Sequence, residues 1–235
     1  MNGKKSEKYF SEEEHARIRS AIEAAEAGTS GEIVAMVVDR SDSYREAETL
    51  GAVLMSALFA FIGEISLQFF TLWRAASGWD HGGGFGAELA LYGVSIWTYV
   101  PLVFLLFFPA RYLLRRCESL KLAFVDRKRI DEAVRERAVR AFYEKGLYKT
   151  RDETGILIFL SLLEHKVWIL GDRGIDRKIP RDRWQALARE LSLGMRENRA
   201  CEALCTVISA CGEELGRHFP KKSDDTNELA DDVIS

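Results

Sequence analysis

Acidic residues stand at the ends of several short apolar runs, and such a pattern can hold a hard cation. One acid opens the run EIVAMVV and Asp39 follows it, two more precede GILIFLS, and two follow KVWILG. Calcium and magnesium ions prefer several carboxylate and carbonyl oxygens as ligands, and sites in open α/β sheets form beyond the strand ends. We therefore predict a Ca²⁺ or Mg²⁺ site formed by Glu32, Asp152, Asp172 and Asp176.

The same acids also fit ordinary turn chemistry, and the sequence leaves both interpretations open. Asp152 and Asp172 are placed to accept backbone N–H groups at turns, as short acidic side chains commonly do. Arg173 and Arg177 are placed to pair with neighbouring acids.

Basic residues next to these acids would suit phosphate chemistry. Arg151, Arg173 and Arg177 could hold a phosphoryl group beside a metal ion. If the protein is a phosphatase, the candidate catalytic residues are Asp152, Arg151 and Arg173. The sequence has no Asp-rich nucleophile motif and no histidine cluster.

Apolar periodicity predicts the elements that position these residues. Ser11 and Glu14 have capping-box spacing at the start of a helix that ends near Gly28. Residues 29–39 read as a buried strand, and residues 155–172 as a hairpin turning at 163–165. Helices are predicted over 126–145, 181–194 and 200–219, with Gly146 ending the first of them.

An apolar segment interrupts this polar chain. The sequence has 47% hydrophobic and 29% charged residues, but Thr49 to Ala110 carries only four charged side chains among 62 residues. Residues 49–73 would form a helix about 37 Å long, which exceeds a hydrocarbon core of about 30 Å. We predict two transmembrane spans, at about 49–73 and 89–110. The loop between them, 74–88, contains Asp80, His81 and the turn-forming glycines 82–84.

The first strand has no strand partner before this insertion, so it must pair with strands that follow it. We therefore predict one α/β domain, a small mixed sheet sandwiched by helices, interrupted by a transmembrane hairpin. Its parts would be residues 1–48 and 111–219, followed by an acidic tail at 220–235.

Charge distribution predicts the compartment and the orientation. Seven arginines and lysines follow the second span between 111 and 129, whereas the loop holds only Arg74. By the positive-inside rule, both termini should face the cytoplasm, with the spans in the cell's inner (plasma) membrane. The start of the sequence has no apolar h-region of a signal peptide. The four cysteines lack CxxC spacing, as expected for a reducing compartment. A net charge of -3 gives no support to nucleic-acid binding.

Glu64 is the acidic residue inside the first predicted span. Such groups are functional candidates by default. The alternative is that Glu64 is protonated, or faces the second helix or another subunit and accepts a hydroxyl there. Both interpretations stand.

Three segments resemble the TPM domain family: SGEIVAMVV, TRDETGILIFLSLLEHKVWILGDRGID, and ELGRHFP with NELADDVI. That family includes a thylakoid acid phosphatase, photosystem-repair factors and bacterial membrane proteins, and the second segment is similar to the bacterial integral-membrane branch. The resemblance implies a compact sheet sandwiched by helices. It also implies that some members bind divalent cations and have phosphatase activity.

These observations predict an integral membrane protein with a cytoplasmic TPM-like domain. Its expected role is accessory, in assembly or regulation, through a divalent cation or through a membrane-protein partner or another copy of itself. The alternative is a membrane-anchored, metal-dependent phosphomonoesterase.

Overall fold

The computed structural model describes residues 6–76, 96–221 and 234, and it divides the chain into two compact units. The first unit comprises residues 1–43 and 127–235, and the second comprises 44–126. The predicted loop with Asp80, His81 and glycines 82–84 lies outside the described residues, as does most of the predicted acidic tail.

The first unit is built on a three-stranded mixed sheet. Helix α1 (Glu12–Glu26) leads into β1 (Glu32–Val38), and after the second unit come α5 (Arg127–Glu144), β2 (Gly155–Ser161) and β3 (Lys166–Gly171). The sheet order is β1-β2-β3, with β1 parallel to β2 and β3 antiparallel to it. A one-turn helix α6 (Arg173–Asp176) and two longer helices, α7 (Arg181–Arg196) and α8 (Ala200–His218), complete the described elements.

Helices cover both faces of the sheet, as the alternation of apolar side chains requires. One face packs against α1, α7 and α8 through Ile33, Ile158 and Val167, among others. The other packs against α5 through Val34, Phe159 and Phe142. All seven residues of β2 are buried, because this central strand has a covered face on each side.

The elements agree with the sequence-based expectations. Ser11 and Glu14 form the predicted capping box, with Ser11 N–H donating to Glu14 Oε2 at 2.8 Å. The mixed α/β fold with its two apolar helices is confirmed. The GDRGID segment, expected to be a turn, instead forms α6 with Asp172 as its N-cap.

The edge of the sheet at β1 has a neighbour that the sequence did not predict. Ile234 lies beside β1, where its N–H donates to Ala35 O at 3.0 Å and its carbonyl accepts from Val37 N–H at 2.9 Å. Ile234 therefore forms an isolated β-bridge at the outer edge of β1.

The chain leaves and re-enters the first unit at neighbouring points. Asp42 lies just before the departure at Ser43, and Arg129 lies just after the return at Arg127. Arg129 Nη2 contacts Asp42 Oδ2 at 2.7 Å, and Asp42 Oδ1 also accepts from Ser43 N–H at 2.6 Å. This ion pair joins the two connections within the first unit.

The second unit consists mainly of two apolar helices, α2 (Arg45–Ala76) and α3 (Ile96–Arg116), followed by the short α4 (Glu118–Leu122). Stretches of 26 and 19 residues, Arg45–Phe70 and Thr98–Arg116, are long and apolar enough to cross a membrane. Large apolar side chains on their surfaces are exposed, including Phe69 and Phe104. Such exposure is not that of helices enclosed in a soluble core.

Polar groups tie the two apolar helices together within this unit. Glu64 is buried, and Thr98 Oγ1 donates to its Oε1 at 3.1 Å. Tyr99 OH donates to Ala57 O at 3.1 Å. The structure thus shows the hydroxyl contact with the second helix that one of the two interpretations of Glu64 describes.

Close packing of α8 against α1 gives a stability prediction. A Cβ at Gly212 would lie 2.6 Å from Ala25 Cβ and 3.0 Å from Ala25 O. We expect Gly212→Ala to lower the free energy of unfolding by about 1–3 kcal/mol through overpacking. The matched control is Gly216→Ala, one turn later, where the added Cβ would lie 3.6 Å from Gly28 O. Helix propensity predicts a gain there of up to about 1 kcal/mol. Equal effects of the two changes in thermal unfolding would contradict this packing.

Candidate functional site

The strand directions bring three of the predicted acids to one end of the sheet. Because β1 and β2 are parallel and β3 is antiparallel, the starts of β1 and β2 and the end of β3 lie together. Glu32 opens β1 opposite Gly155, Asp152 precedes β2, and Asp172 follows β3. We call this region, with Glu32, Asp152 and Asp172, the acidic end.

Backbone hydrogen bonds hold the acidic end together. Thr154 O accepts from Glu32 N–H at 3.3 Å, and Thr154 Oγ1 donates to Ser30 O at 2.9 Å. On the other side of β2, Asp172 N–H donates to Gly155 O at 2.9 Å. The three strand ends are therefore fixed relative to one another by the main chain.

The turn after β3 rests directly on the loop before β2. Gly174 N–H donates to Glu153 O at 3.1 Å, and a Cβ at position 174 would lie 2.7 Å from that oxygen and 2.8 Å from Asp152 O. Only glycine allows this approach without a shift of the backbone. Glu153 has a φ of 56°, which places it in the left-handed region. The GDRGID motif thus contributes the close contact of Gly174 with the backbone of Asp152 and Glu153, in addition to its charged side chains.

The acids differ in their surroundings. Asp172 is 8% exposed, and its Oδ1 accepts from Arg173 N–H at 2.7 Å, as the turn-chemistry interpretation requires. Its Oδ2 is also buried and accepts no hydrogen bond from the described residues. Glu32 is 7% exposed and Asp152 is half-buried. Asp176 is exposed and pairs with Arg181 Nη2 at 2.8 Å.

The arginines predicted to hold phosphate lie on the surface. Arg151, Arg173 and Arg177 are all exposed, the first before β2 and the other two in and after α6. They are close in sequence to Asp172, which is buried, and to Asp152, which is half-buried. The candidate catalytic set of Asp152, Arg151 and Arg173 stays a prediction.

The carboxylates of the acidic end do not form a cage for an ion. Among residues 6–76, 96–221 and 234, no group of three or more His, Cys, Asp or Glu side chains could hold a metal ion together. A hard cation here would take most of its ligands from backbone carbonyls and water, with Asp172 Oδ2 as one available oxygen. The Ca²⁺ or Mg²⁺ site therefore stays a prediction, and no chemical step is derived through it.

A buried polar cluster occupies the opposite end of the sheet. Glu164, in the turn between β2 and β3, is 7% exposed and accepts hydrogen bonds from the Ser161 hydroxyl and from Ser41 N–H, the latter at 3.0 Å. The Ser41 hydroxyl donates to Ser161 Oγ at 2.9 Å. The turn-like composition of this segment gave no sign of a buried acid. Its partners show that it joins the hairpin turn to the chain after β1.

A groove of about 840 Å³, which no sequence pattern predicted, lies along β3. Its floor is β3 itself, and its walls are faces of α5 and α7, with Asp176 and His165 near the ends. The wall residues recur at helical spacing, as in Asp131, Arg135 and Val139 on α5. The sequence pattern that could have indicated this groove is basic residues on the groove side of both helices: Arg135 on α5, and Arg189 and Arg196 on α7.

Comparisons with known proteins agree with this architecture. Residues 114–214 match the sequence profile of the TPM domain, so the chain carries a TPM domain. The matched range includes β2, β3 and the groove but not β1, and most of the ELGRHFP and NELADDVI segments lie beyond it. No curated protein matches the chain.

A solved structure shares the fold. The NMR structure of the BA42 protein from the psychrophilic bacterium Bizionia argentinensis superimposes with a TM-score of 0.54. The two sequences are 18% identical, and the alignment covers 96% of this chain and 94% of that one. At this identity the likeness concerns the fold alone.

The acidic end can be tested with a pair of matched variants. We expect calcium or magnesium at ten times its dissociation constant to stabilise the wild-type chain by about 1.4 kcal/mol, measured as a rise in the thermal unfolding midpoint. Asp172→Asn keeps the N-cap but removes the charge of Oδ2, so it should abolish this rise. Asp182→Asn should respond like the wild type, because its carboxylate is exposed on α7 and is not one of the predicted ligands. No shift in the wild-type chain with either cation would contradict the predicted site.

Proposed function

We propose that the protein is a membrane-anchored accessory protein whose TPM domain lies on the cytoplasmic side of the inner (plasma) membrane. Both termini would face the cytoplasm, and the domain would bind another protein of the membrane, with a divalent cation as a further ligand. Its role would be in the assembly, maintenance or regulation of a membrane complex.

The observation that carries this proposal is the apolar exterior of α2 and α3. Large side chains point outward along both helices, and in a membrane protein these surfaces would face lipid. The two helices occupy the chain between β1 and β2 of the TPM domain, so the domain has a connection to them on each side. A domain anchored in this way is suited to act on other proteins of the same membrane.

A basic cluster at one end of the apolar helices supports the proposed orientation. Glu48 is buried and lies 2.6 Å from Arg115 Nε, 3.2 Å from Arg111 Nε and 3.5 Å from Lys121 Nζ. Three cations around one carboxylate leave an excess of positive charge there. Such an excess is typical of the cytoplasmic ends of membrane helices.

The cysteines allow a direct test of orientation. Cys117, which lies between α3 and α4, is exposed. Burial raises the pKa of the Cys201 thiol to about 11 and that of Cys211 to about 12, so both should react slowly with maleimides. We expect a membrane-impermeant maleimide to label Cys117 in inverted membrane vesicles and not in spheroplasts. In the Cys117→Ser variant, any remaining label comes from the other cysteines. The Cys205→Ser variant shows how much of the label Cys205 contributes. Labelling in spheroplasts would reverse the proposed orientation.

The accessory role can be tested on the full chain in its own membrane. The protein should remain in the membrane fraction after alkaline carbonate extraction. It should also purify in mild detergent with a partner protein at a constant ratio over successive columns. Release by carbonate would contradict the anchor, and a chain that purifies alone as a monomer would contradict the partner.

A metal-dependent phosphomonoesterase is the second candidate. It is favoured by the buried Asp172 Oδ2, which accepts no hydrogen bond from the described residues and lies next to the exposed Arg173. Purified protein would then hydrolyse p-nitrophenyl phosphate with magnesium or calcium, and Asp152→Ala would abolish turnover while Asp182→Asn retained it. Absence of turnover with any cation would exclude this activity and leave the accessory role standing.

A further inference from the structure

The strand at the floor of the groove has an unpaired edge. Strand β3 pairs with β2 on one side and with no strand among the described residues on the other. Asp172 N–H donates to Gly155 O. Because hydrogen-bonding residues alternate in antiparallel pairs, the N–H and C=O groups of Val167, Ile169 and Gly171 point away from β2. These groups are an available template for one more strand.

The walls of the groove leave room for that strand and carry excess positive charge. Lys166 pairs with Asp131 at 2.8 Å, and Arg181 pairs with Asp176 at 2.8 Å. Each of the two acidic residues that line the groove is therefore already neutralised by a basic residue. Three further arginines line it, are exposed, and have no acidic partner among the described residues: Arg135, Arg189 and Arg196.

A buried donor in the groove lining also lacks a partner. Trp184 is 4% exposed and lies in the wall formed by α7. Its indole Nε1–H is buried and donates to no acceptor within the described part of the chain. A buried N–H without an acceptor is costly, by about 1–3 kcal/mol. An incoming carbonyl or carboxylate oxygen would relieve that cost.

We propose that this groove binds an extended acidic peptide segment of a partner protein, which adds to the sheet as a strand beside β3. Its main chain pairs with the outward groups of Val167, Ile169 and Gly171. Its acidic side chains meet Arg135, Arg189 and Arg196, and its apolar side chains contact the apolar walls. Strand addition of this kind takes its affinity from main-chain hydrogen bonds and its specificity from side-chain pockets. The inference rests on the proposed accessory function, for which it names the binding site and the chemistry of the partner.

Two described residues at the ends of the chain's own acidic C-terminal segment, Pro220 and Ile234, lie toward the other edge of the sheet. Ile234 is bonded to Ala35 and Val37 of β1, and Pro220 lies beside Thr29, just before β1. Since β1 and β3 are on opposite sides of β2, both positions are remote from the groove. The structure therefore favours a segment from another protein as the occupant.

Binding can be measured with a defined probe on the full-length protein in detergent. The probe is a fluorescein-labelled peptide of about seven residues in which valine and glutamate alternate, and fluorescence anisotropy reports its affinity. A valine–lysine peptide of the same length should bind at least tenfold more weakly. A valine–glutamate peptide with N-methylated alternate amides should also bind at least tenfold more weakly, because it cannot form strand hydrogen bonds.

Charge reversal gives a matched pair of variants. Arg189→Glu with Arg196→Glu should weaken the valine–glutamate peptide at least tenfold. Arg17→Glu with Arg140→Glu changes the net charge equally at exposed positions outside the groove, and should leave binding within twofold. Hydrogen exchange provides a readout specific for strand addition, since the amides of Val167 and Ile169 should become protected when the peptide binds.

Several results would overturn this inference. The first is absence of peptide binding, and the second is an equal loss of peptide affinity in both double variants. The third is unchanged affinity for the N-methylated peptide. The fourth is competition by inorganic phosphate at constant ionic strength, which would indicate a small-anion site. Conversion of a dimer to a monomer by the peptide would show that a second copy of the chain is the occupant. If Arg189→Glu with Arg196→Glu retains the co-purifying partner, the groove fails as its site while the accessory function stands.

Discussion

The parallel pairing of β1 with β2 is the interaction on which the rest of the TPM domain depends. These strands come from pieces of chain that the apolar helices separate, and their seven-residue register runs from Glu32 opposite Gly155 to Val38 opposite Ser161. Without this pairing, β1 would have no neighbouring strand, and the two covered faces of the sheet would not extend from β2 and β3 onto β1. The acidic end, the buried Glu164 cluster and the order that leaves β3 at an edge all follow from this register.

The sequence predicts the elements well, because each long element has a clear apolar period or a marked lack of charge. The two apolar helices, the central strands and the capping box at Ser11 all carry signals within a few neighbouring residues. It also groups Glu32, Asp152 and Asp172 as one candidate site, but the strand directions that bring them to one end of the sheet come from the structure. It does not predict which carboxyl group is buried, because that depends on how the α6 turn packs on Glu153.

Features formed by distant segments leave no local signal. Val233 and Ile234 are only two apolar residues after an acidic stretch, too few to predict a strand, so they do not indicate that Ile234 bonds to β1. The groove combines faces of α5, β3 and α7, and each face taken alone reads as an ordinary solvated surface. Arg135, Arg189 and Arg196 become a set only when the sheet order places their helices on either side of β3.

The Asp42–Arg129 ion pair has a mechanical consequence for a domain tethered in this way. The chain departs beside Asp42 and returns beside Arg129, so any pull on the two connections is applied at one place. A force applied at this place would act first on the Asp42–Arg129 ion pair. Only then would it act on the β1–β2 hydrogen bonds, and it would break them one after another from one end. A domain connected at two remote points would instead have its strands sheared along their length. The position of the insertion therefore decides the direction in which the sheet can be strained.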